Sequence, residues 1–521
     1  MLKLKKKLHQ QLKNSTKKPA RSDTINKDAK QFQAWITQTL GNSFDFYHET
    51  VQVGSTNGYL YYLTTMTNTE VITEKITQPL SSISSNNQSM TLSEWKTLCH
   101  KIFGGTQHHF VATKNEVVTL LMKGYLVIHL DGMNEVIVIK IRSTDLRSIE
   151  EPSTQTIIRG PKEGFIENLD TNINLVRRRI KNPKLRFEEH VVGSETSTGV
   201  ALGYLEGVAN SKIVEEVRKR ITDIQTNAIF ESANIEEFIT DKTLTPFPLL
   251  YNTERPDTIA AHILSGKVAI FVDGSPFVLS APTVLNDFIA TSEDYYLPYL
   301  MGTFLRLLRY LAFFISLLLP AFYVGIITYH HEMIPTDLII SIISQREGVP
   351  FPALVEAILM EIAFEILREA GIRMPRAVGG TISIVGGLVI GQAAVEAGLV
   401  SNIMVIVVSL TAISSFVSPI YSFSIAARLL RFVFIILAGI FGFYGILLGL
   451  IMMVAHLASL RSFGIAYLSP YAPFFLHDHE DTMVRVPIWM MRQRPKSFRT
   501  EEANKQPNAK SPSPPSQEAG S

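Results

Sequence analysis

Phe432-Val-Phe-Ile-Ile-Leu-Ala-Gly-Ile-Phe-Gly-Phe-Tyr-Gly-Ile-Leu-Leu-Gly-Leu-Ile-Met-Met-Val-Ala-His-Leu-Ala-Ser-Leu460 is 29 residues without Asp, Glu, Lys or Arg. A bilayer core needs about 20 apolar residues in a helix. The same signal recurs upstream: Tyr310–Tyr329 is uncharged over 20 residues, Ala377–Val395 over 19 and Ala397–Ala427 over 31. Four spans are expected, near 308–329, 377–396, 401–420 and 432–456. The piece from Pro352 to Arg373 is apolar yet carries Glu356, Glu361, Glu365, Arg368, Glu369 and Arg373. It reads as a fifth span, a re-entrant helix or an interfacial one.

The rest of the 521-residue chain has ordinary composition. Tyr310–Leu460 holds 14 of the 96 charged residues, and no lysine lies between Lys267 and Lys496. That excludes a uniformly soluble enzyme, a disordered chain and a disulfide scaffold; the single Cys99 cannot form an intrachain bridge. A net charge of +2 gives no case for nucleic-acid binding.

Two hairpins mark an α+β N-terminal region. Tyr125–Leu130 runs through Asp131-Gly132 into Val136–Ile141, and Lys267–Val272 runs through Asp273-Gly274 into Phe277–Ser280. β-branched runs around Asp-Gly are a hairpin signal because glycine accepts the positive φ of the turn. Two similar hairpins suggest two subdomains. Helices are expected at Phe165–Lys181, with Arg177, Arg178 and Arg179 at its end, and at Ser211–Ile224, with a strand at Gly199–Leu205 between them. Ser81–Gln88 reads as a loop.

The first 30 residues hold ten Lys/Arg and two Asp. Leu4, Leu8 and Leu12 share one face of a short basic helix, which suits anionic lipid; a solvated tail fits as well. No apolar run follows the lysines, so a signal peptide is not expected and the N-terminal region should stay cytoplasmic. Arginines before the first span (Arg306, Arg309) and after the last (Arg461, Arg485, Arg492, Arg494) place both ends in the cytoplasm. Arg428 and Arg431 then face outward unless they are buried against protein. The tail after Arg492, with Ser511-Pro-Ser-Pro-Pro-Ser, is expected to be disordered. The expected domains are 1–30, a basic tail; 31–160 and 161–298, two cytoplasmic subdomains; 299–476, an all-α multi-span membrane domain; and 477–521, a Pro/Ser-rich tail.

No nucleotide loop, Rossmann fingerprint, serine elbow or H-E-x-x-H is present. His108/His109, His330/His331 and His477-Asp-His479 lack the spaced partners of a metal site. Neither an enzyme activity nor a cofactor is expected. Glu361, Glu365 and Arg368 share one helix face at i, i+4 and i+7. Ionisable groups at membrane depth face a cavity, a partner or water. Two readings fit: an ion path, or internal Glu–Arg pairs that fix the helix. Glu396 is a gating candidate or a snorkelling acid beside Gln392. Gly386, Gly387 and Gly391, and Gly445 with Gly449, are candidate sites of close helix packing, within the chain or between subunits.

The block Ile362–Pro375, followed by Ile384–Val395, resembles the core of the A subunits of the GerA family of bacterial spore germination receptors. Asn168–Asn172 with Arg177–Arg179, Thr253–Asp257, Val272–Pro276, Glu293–Tyr296, Pro335–Asp337 and Arg346–Pro352 agree in order and spacing, so the likeness covers residues 30 to 476. The resemblance implies a place in the spore inner membrane. It implies partnership with a transporter-like B subunit and a lipoprotein C subunit, and a homo-oligomer in the lipid bilayer. It further implies nutrient-triggered ion release; Glu361, Glu365 and Glu396, singled out above as ionisable groups among apolar helices, are the pore or gating candidates. Two other roles remain open at this point. One is a GerA-like accessory of the dipicolinate-channel (SpoVA) machinery; the other is a generic transporter or scaffold.

Overall fold

The computed structural model describes residues 23–83, 90–104, 106–141, 150–374, 387, 389, 391–506 and 511–512. It divides into two compact units. The first comprises residues up to Pro152, Glu163–Ile235 and Thr253–Val278; the second comprises Ser153–Lys162, Glu236–Asn252 and the chain from Leu279. The basic start (residues 1–22), most of the expected loop at 81–88 and Ser513–Ser521 lie outside the described residues.

The first unit opens with helix α1 (Ala29–Leu40), whose N-cap is the Asp28 carboxylate. Strands β1 (Phe46–Val53) and β2 (Thr56–Leu63) follow, then α2 (Leu92–Phe103), β3 (His108–Val111), α3 (Lys114–Leu121), β4 (Tyr125–Leu130) and β5 (Val136–Lys140). Helix α2 starts in a Thr91/Glu94 capping box. The antiparallel sheet has the order β1-β2-β4-β5-β3. Both faces are covered. Tyr59, Tyr61, Val127 and Val138 pack with Phe32, Ile36 and Val117, while Leu60, Tyr62, Ile128 and Ile139 pack with Trp95, Cys99 and Phe103. Burial on both faces is why β4 and β5 are continuous apolar runs instead of alternating ones.

The pattern then repeats. Helix α4 (Leu169–Arg179), strands β6 (Leu185–Val192) and β7 (Thr198–Leu205), and helices α5 (Ser211–Thr222) and α6 (Ser232–Ile239) lead to β8 (Tyr251–Thr253). Helix α7 (Pro256–Leu264), β9 (Val268–Val272) and β10 (Val278–Ala281) complete it. The second sheet has the order β6-β7-β9-β10-β8, strand for strand that of the first. Both expected hairpins form, and Gly132 and Gly274 take φ of 85° and 82° in their turns. Strand β6 was not anticipated. Arg177 does not serve the helix end: it is buried and bidentate on Asp45, at 2.5 and 2.6 Å, and reaches Ser43 at 2.8 Å.

The second unit is built on helices. Helix α8 (Tyr299–Tyr329) and the run α12 (Tyr421–Ser459) are long and apolar enough to cross a membrane. Between them lie α9 (Thr336–Arg346), α10 (Ala353–Arg373) and α11 (Asn402–Phe416). The spans read from sequence need three corrections. Helix α8 begins nine residues before the expected 308. Helix α11 has 15 residues, short of a full span. The 432–456 span is not one helix, because α12 breaks at Gly442 (φ 59°, ψ −141°). The run turns back on itself there: a Cβ on Gly445 would meet the Leu437 carbonyl oxygen, and one on Gly449 would stand 2.8 Å from Phe434 Cε1. In a straight helix those pairs would be about 12 and 22 Å apart. The charged piece is helical over Ala353–Arg373 as α10, with Pro352 as its N-cap; of the 377–396 span, residues 387, 389 and 391–396 are described and helical.

Residues 236–252 and 279–298 were expected in a second soluble subdomain. They belong to the helical unit because Phe247, Leu249, Tyr251 and Phe288 share a core with Phe423, Ala426, Leu457 and Tyr467. The chain beyond 476 is also not a free tail as far as 506. Asp481 accepts from Arg306 at 2.9 Å and from Tyr295 at 2.6 Å, and the Asp478 carboxylate accepts from the Lys496 and Ser497 amides at 2.9 Å. Composition announces disorder there; specific charge pairs override it.

Candidate functional site

Three elements of the helical unit, α8, α11 and α12, converge on the ionisable face of α10. Glu361 is fully buried, and its Oε2 accepts from Arg431 Nη1 at 2.6 Å. Arg431, also fully buried, donates through Nε to the Ser316 carbonyl of α8 at 2.6 Å. One turn along, Glu365 accepts from Arg428 at 2.9 Å and from Arg368 at 3.3 Å. Arg368 continues to Ser415 Oγ of α11 at 2.7 Å and lies over the Phe416 and Phe364 rings. The i, i+4 spacing of Glu361 and Glu365 on α10 thus meets the i, i+3 spacing of Arg428 and Arg431 on α12.

The two arginines that fitted no outward position are accounted for by these pairs. Bringing both charges out of water costs several kcal/mol per ion, which is recovered only with close geometry and further hydrogen bonds. The pairing is incomplete in that respect. Glu361 Oε1 and Arg431 Nη2 are buried without a hydrogen-bond partner among the described residues.

A second fully buried acid, Glu356, lies in the charged helix but is not among the site candidates read from the sequence. Its Oε1 accepts from both the amide and the hydroxyl of Ser401 at 2.6 Å, at the N-terminus of α11. A carboxylate suits the positive end of a helix dipole. The signal that would have found it is its position in the same apolar helix as the other acids. Glu396 is not part of the cluster; it is exposed and accepts from Gln392 Nε2 at 2.9 Å.

The candidate glycines divide. Gly386 lies outside the described residues, and an added Cβ at Gly387 would reach, among the described residues, nothing nearer than Leu367 Cδ2, at 3.8 Å. Gly391 faces Val405 of α11, where an added Cβ would stand 3.4 Å from Cγ1. Gly445 and Gly449 seat the second arm of α12 against its first arm, so that contact is within the chain. At the tip of this reversal the Tyr329 hydroxyl lies 3.2 Å from the Gly439 carbonyl and 2.8 Å from that of Ile440. It supplies a donor to carbonyls that the break deprives of helical partners.

Among the described residues no three His, Cys, Asp or Glu side chains gather as metal ligands. In the first unit Cys99 is buried, which pushes its thiol up to about 12. The His129 ring packs on Phe32 and is held below its ordinary value, mainly by burial.

A duplicated α+β unit is followed by apolar helices that enclose carboxylate–guanidinium pairs, two of them long and apolar enough to cross a membrane, which fits a membrane-associated protein. The family model described as Bacillus/Clostridium GerA spore germination protein matches residues 34–497, and the chain belongs to that family. It is 52% identical over 394 residues to spore germination protein KA of Bacillus subtilis (strain 168), covering 76% of this chain and 72% of that protein. It is 44% identical over 392 residues to spore germination protein GerLA of Bacillus cereus, covering 75% and 80%. A crystal structure of the N-terminal domain of the A subunit of the Bacillus megaterium spore germinant receptor GerK3 is 32% identical. It covers 50% of this chain and 97% of that one, with a TM-score of 0.40.

Proposed function

We propose that this chain is the A subunit of a nutrient receptor in the spore inner membrane. It crosses the membrane several times, has its soluble parts in the cytoplasm, and works without enzymatic chemistry beside a transporter-like B subunit and a lipoprotein C subunit. Its helical unit is the ion-conducting or signalling component. The observation that carries this reading is the set of buried acids on α10. Evolution rarely keeps carboxylates in an apolar bundle unless something binds, switches or passes there.

With Glu361 held by Arg431 and Glu365 by Arg428 and Arg368, the acids are neutralised, as suits a resting state. Conduction requires α10 to part from the first arm of α12, so that a cation replaces a guanidinium. A nutrient bound elsewhere in the complex drives this by binding the parted arrangement more tightly, and it can shift the equilibrium only by that difference in affinity. Spores carrying Glu361→Gln with Glu365→Gln at normal protein levels should release potassium with altered kinetics after nutrient addition. Wild-type kinetics would remove α10 from the path.

A further inference from the structure

The docked segment Phe474–Met490 turns its polar groups inward and its apolar ones outward. Asp481 meets Arg306 and Tyr295, the Asp478 carboxylate takes the Lys496 and Ser497 amides, and Arg485 donates to the Asp294 and Leu297 carbonyls. Phe474 and Leu476, by contrast, are 67% and 77% exposed, and Met483, Val484, Ile488 and Met490 are exposed as well. Single apolar side chains on a surface are ordinary, but six large ones in so short a segment mark an interaction site.

The position of the segment along α8 says what covers it. The Arg485 amide donates to Thr303 Oγ1 at 3.1 Å, the Thr303 hydroxyl donates to the Arg485 carbonyl at 3.2 Å, and the Tyr471 hydroxyl lies 3.0 Å from that of Tyr310. The segment therefore flanks α8 between Thr303 and Tyr310. Tyr310 opens the uncharged run to Tyr329, which at 1.5 Å per residue fills a hydrocarbon core of about 30 Å. The turns of α8 before Tyr310 then stand in the headgroup zone. They already present an apolar stripe there, since Leu300, Phe304, Leu307 and Leu311, spaced i, i+4, i+7 and i+11, are all exposed. The exposed charged side chains between residues 471 and 500 are Arg492, Lys496 and Arg499, all cationic, while the half-buried Glu480 faces His477 at 3.7 Å. Exposed cations beside a bilayer favour anionic lipid.

We propose that Phe474–Met490 is an interfacial membrane anchor. It rests on the bilayer at the level of the first turns of α8, with its apolar side chains dipping about 5–10 Å into the boundary between headgroups and acyl chains. Its backbone is irregular apart from a short 3-10 turn at Leu476–Glu480 and a bridge between Asp481 and Arg485. Such a backbone stays out of the hydrocarbon, where unpaired amides and carbonyls are costly, so the segment lies on the membrane and does not cross it. Through Asp481 and Arg485 the anchor fixes the start of α8 at the membrane surface. The proposal rests on the reading of α8 as a span and is independent of the conducting role of α10.

The test is site-directed spin labelling of the full-length protein in nanodiscs of phosphatidylcholine with phosphatidylglycerol. Labels enter at Leu476→Cys and Val484→Cys, with Phe322→Cys on α8 as the lipid reference and Val191→Cys on β6 as the water reference. All four positions are exposed, and the native Cys99 is buried out of the reagent's reach. Collisions of the label with oxygen, which partitions into lipid, are compared with those of a water-soluble nickel chelate. The ratio of oxygen to nickel collisions at 476 and 484 is expected to lie above that at 191 and below that at 322. Should either variant fail to assemble, Met483→Cys or Met490→Cys takes its place, both positions being exposed. Ratios equal to that at 191 would put the segment in water and overturn the anchor. Low collision rates with both reagents would mean that protein covers it, a second copy for instance, and would overturn it equally. A water-like ratio at 322 would remove the reading of α8 as a span and the anchor with it, so the two failures are told apart.

Discussion

Replacing Glu361 with glutamine tests the buried pair directly. The change keeps the shape and the possibility of a hydrogen bond to Arg431 but removes the negative charge. Both side chains are essentially sealed from solvent, at 0% and 1% exposure, so Arg431 becomes a buried cation whose acceptors, the new amide oxygen and the Ser316 carbonyl, are both uncharged. Breaking a buried pair from one side costs about 3–5 kcal/mol. In a unit of 150–250 residues that lowers Tm by about 6–20 °C. Glu361→Leu with Arg431→Met removes both charges and should cost far less, because apolar replacement of a buried pair is often neutral. Glu369→Gln is the control, since its pair with Arg373 is exposed on both sides, and it should leave Tm unmoved. The assay is thermal unfolding of the purified full chain, read by loss of the monodisperse peak. A Tm drop under about 2 °C for Glu361→Gln would mean that Arg431 has water or another counter-charge, and the closed-pair argument would fail.

Gly442→Ala should destabilise the α12 reversal by about 1–3 kcal/mol, because φ 59° with ψ −141° suits glycine alone and the added Cβ would stand 2.7 Å from His330 Cε1; the same thermal assay reads it. In the first unit, burial raises the Glu188 carboxyl, but hydrogen bonds from Arg218 and Tyr204 outweigh it and hold it below the ordinary 4.5. Its contribution to stability is therefore present above 4.5 and lost as pH falls through the lower folded value. Glu188→Gln should flatten the acid limb of a stability–pH profile without changing its plateau shape.

Local signals were read well. The Asp-Gly hairpins, the helices at α4 and α5 and the charge-free runs each follow from residues a few positions apart. The duplication was visible only as an echo, since the sheets share strand order and not side chains; β6 was missed because Leu185–Val192 mixes Arg, two Glu and His into a strand. The acids of α10 could be nominated because carboxylates in an apolar helix stand out. Their partners could not, because Arg428 and Arg431 lie 63 and 70 residues away.

Composition and periodicity alone determined that the chain joins an α+β region to apolar helices, and which helix carries the ionisable face. Those are properties of short windows, set by turn chemistry and by transfer of side chains out of water. Tertiary structure alone decided that α12 doubles back at Gly442, that residues 477–506 dock, and that Glu361 meets Arg431 and Glu365 meets Arg428. These depend on which distant groups come within a few ångströms in a low-dielectric interior, where pairing energies are largest and sequence separation carries no information.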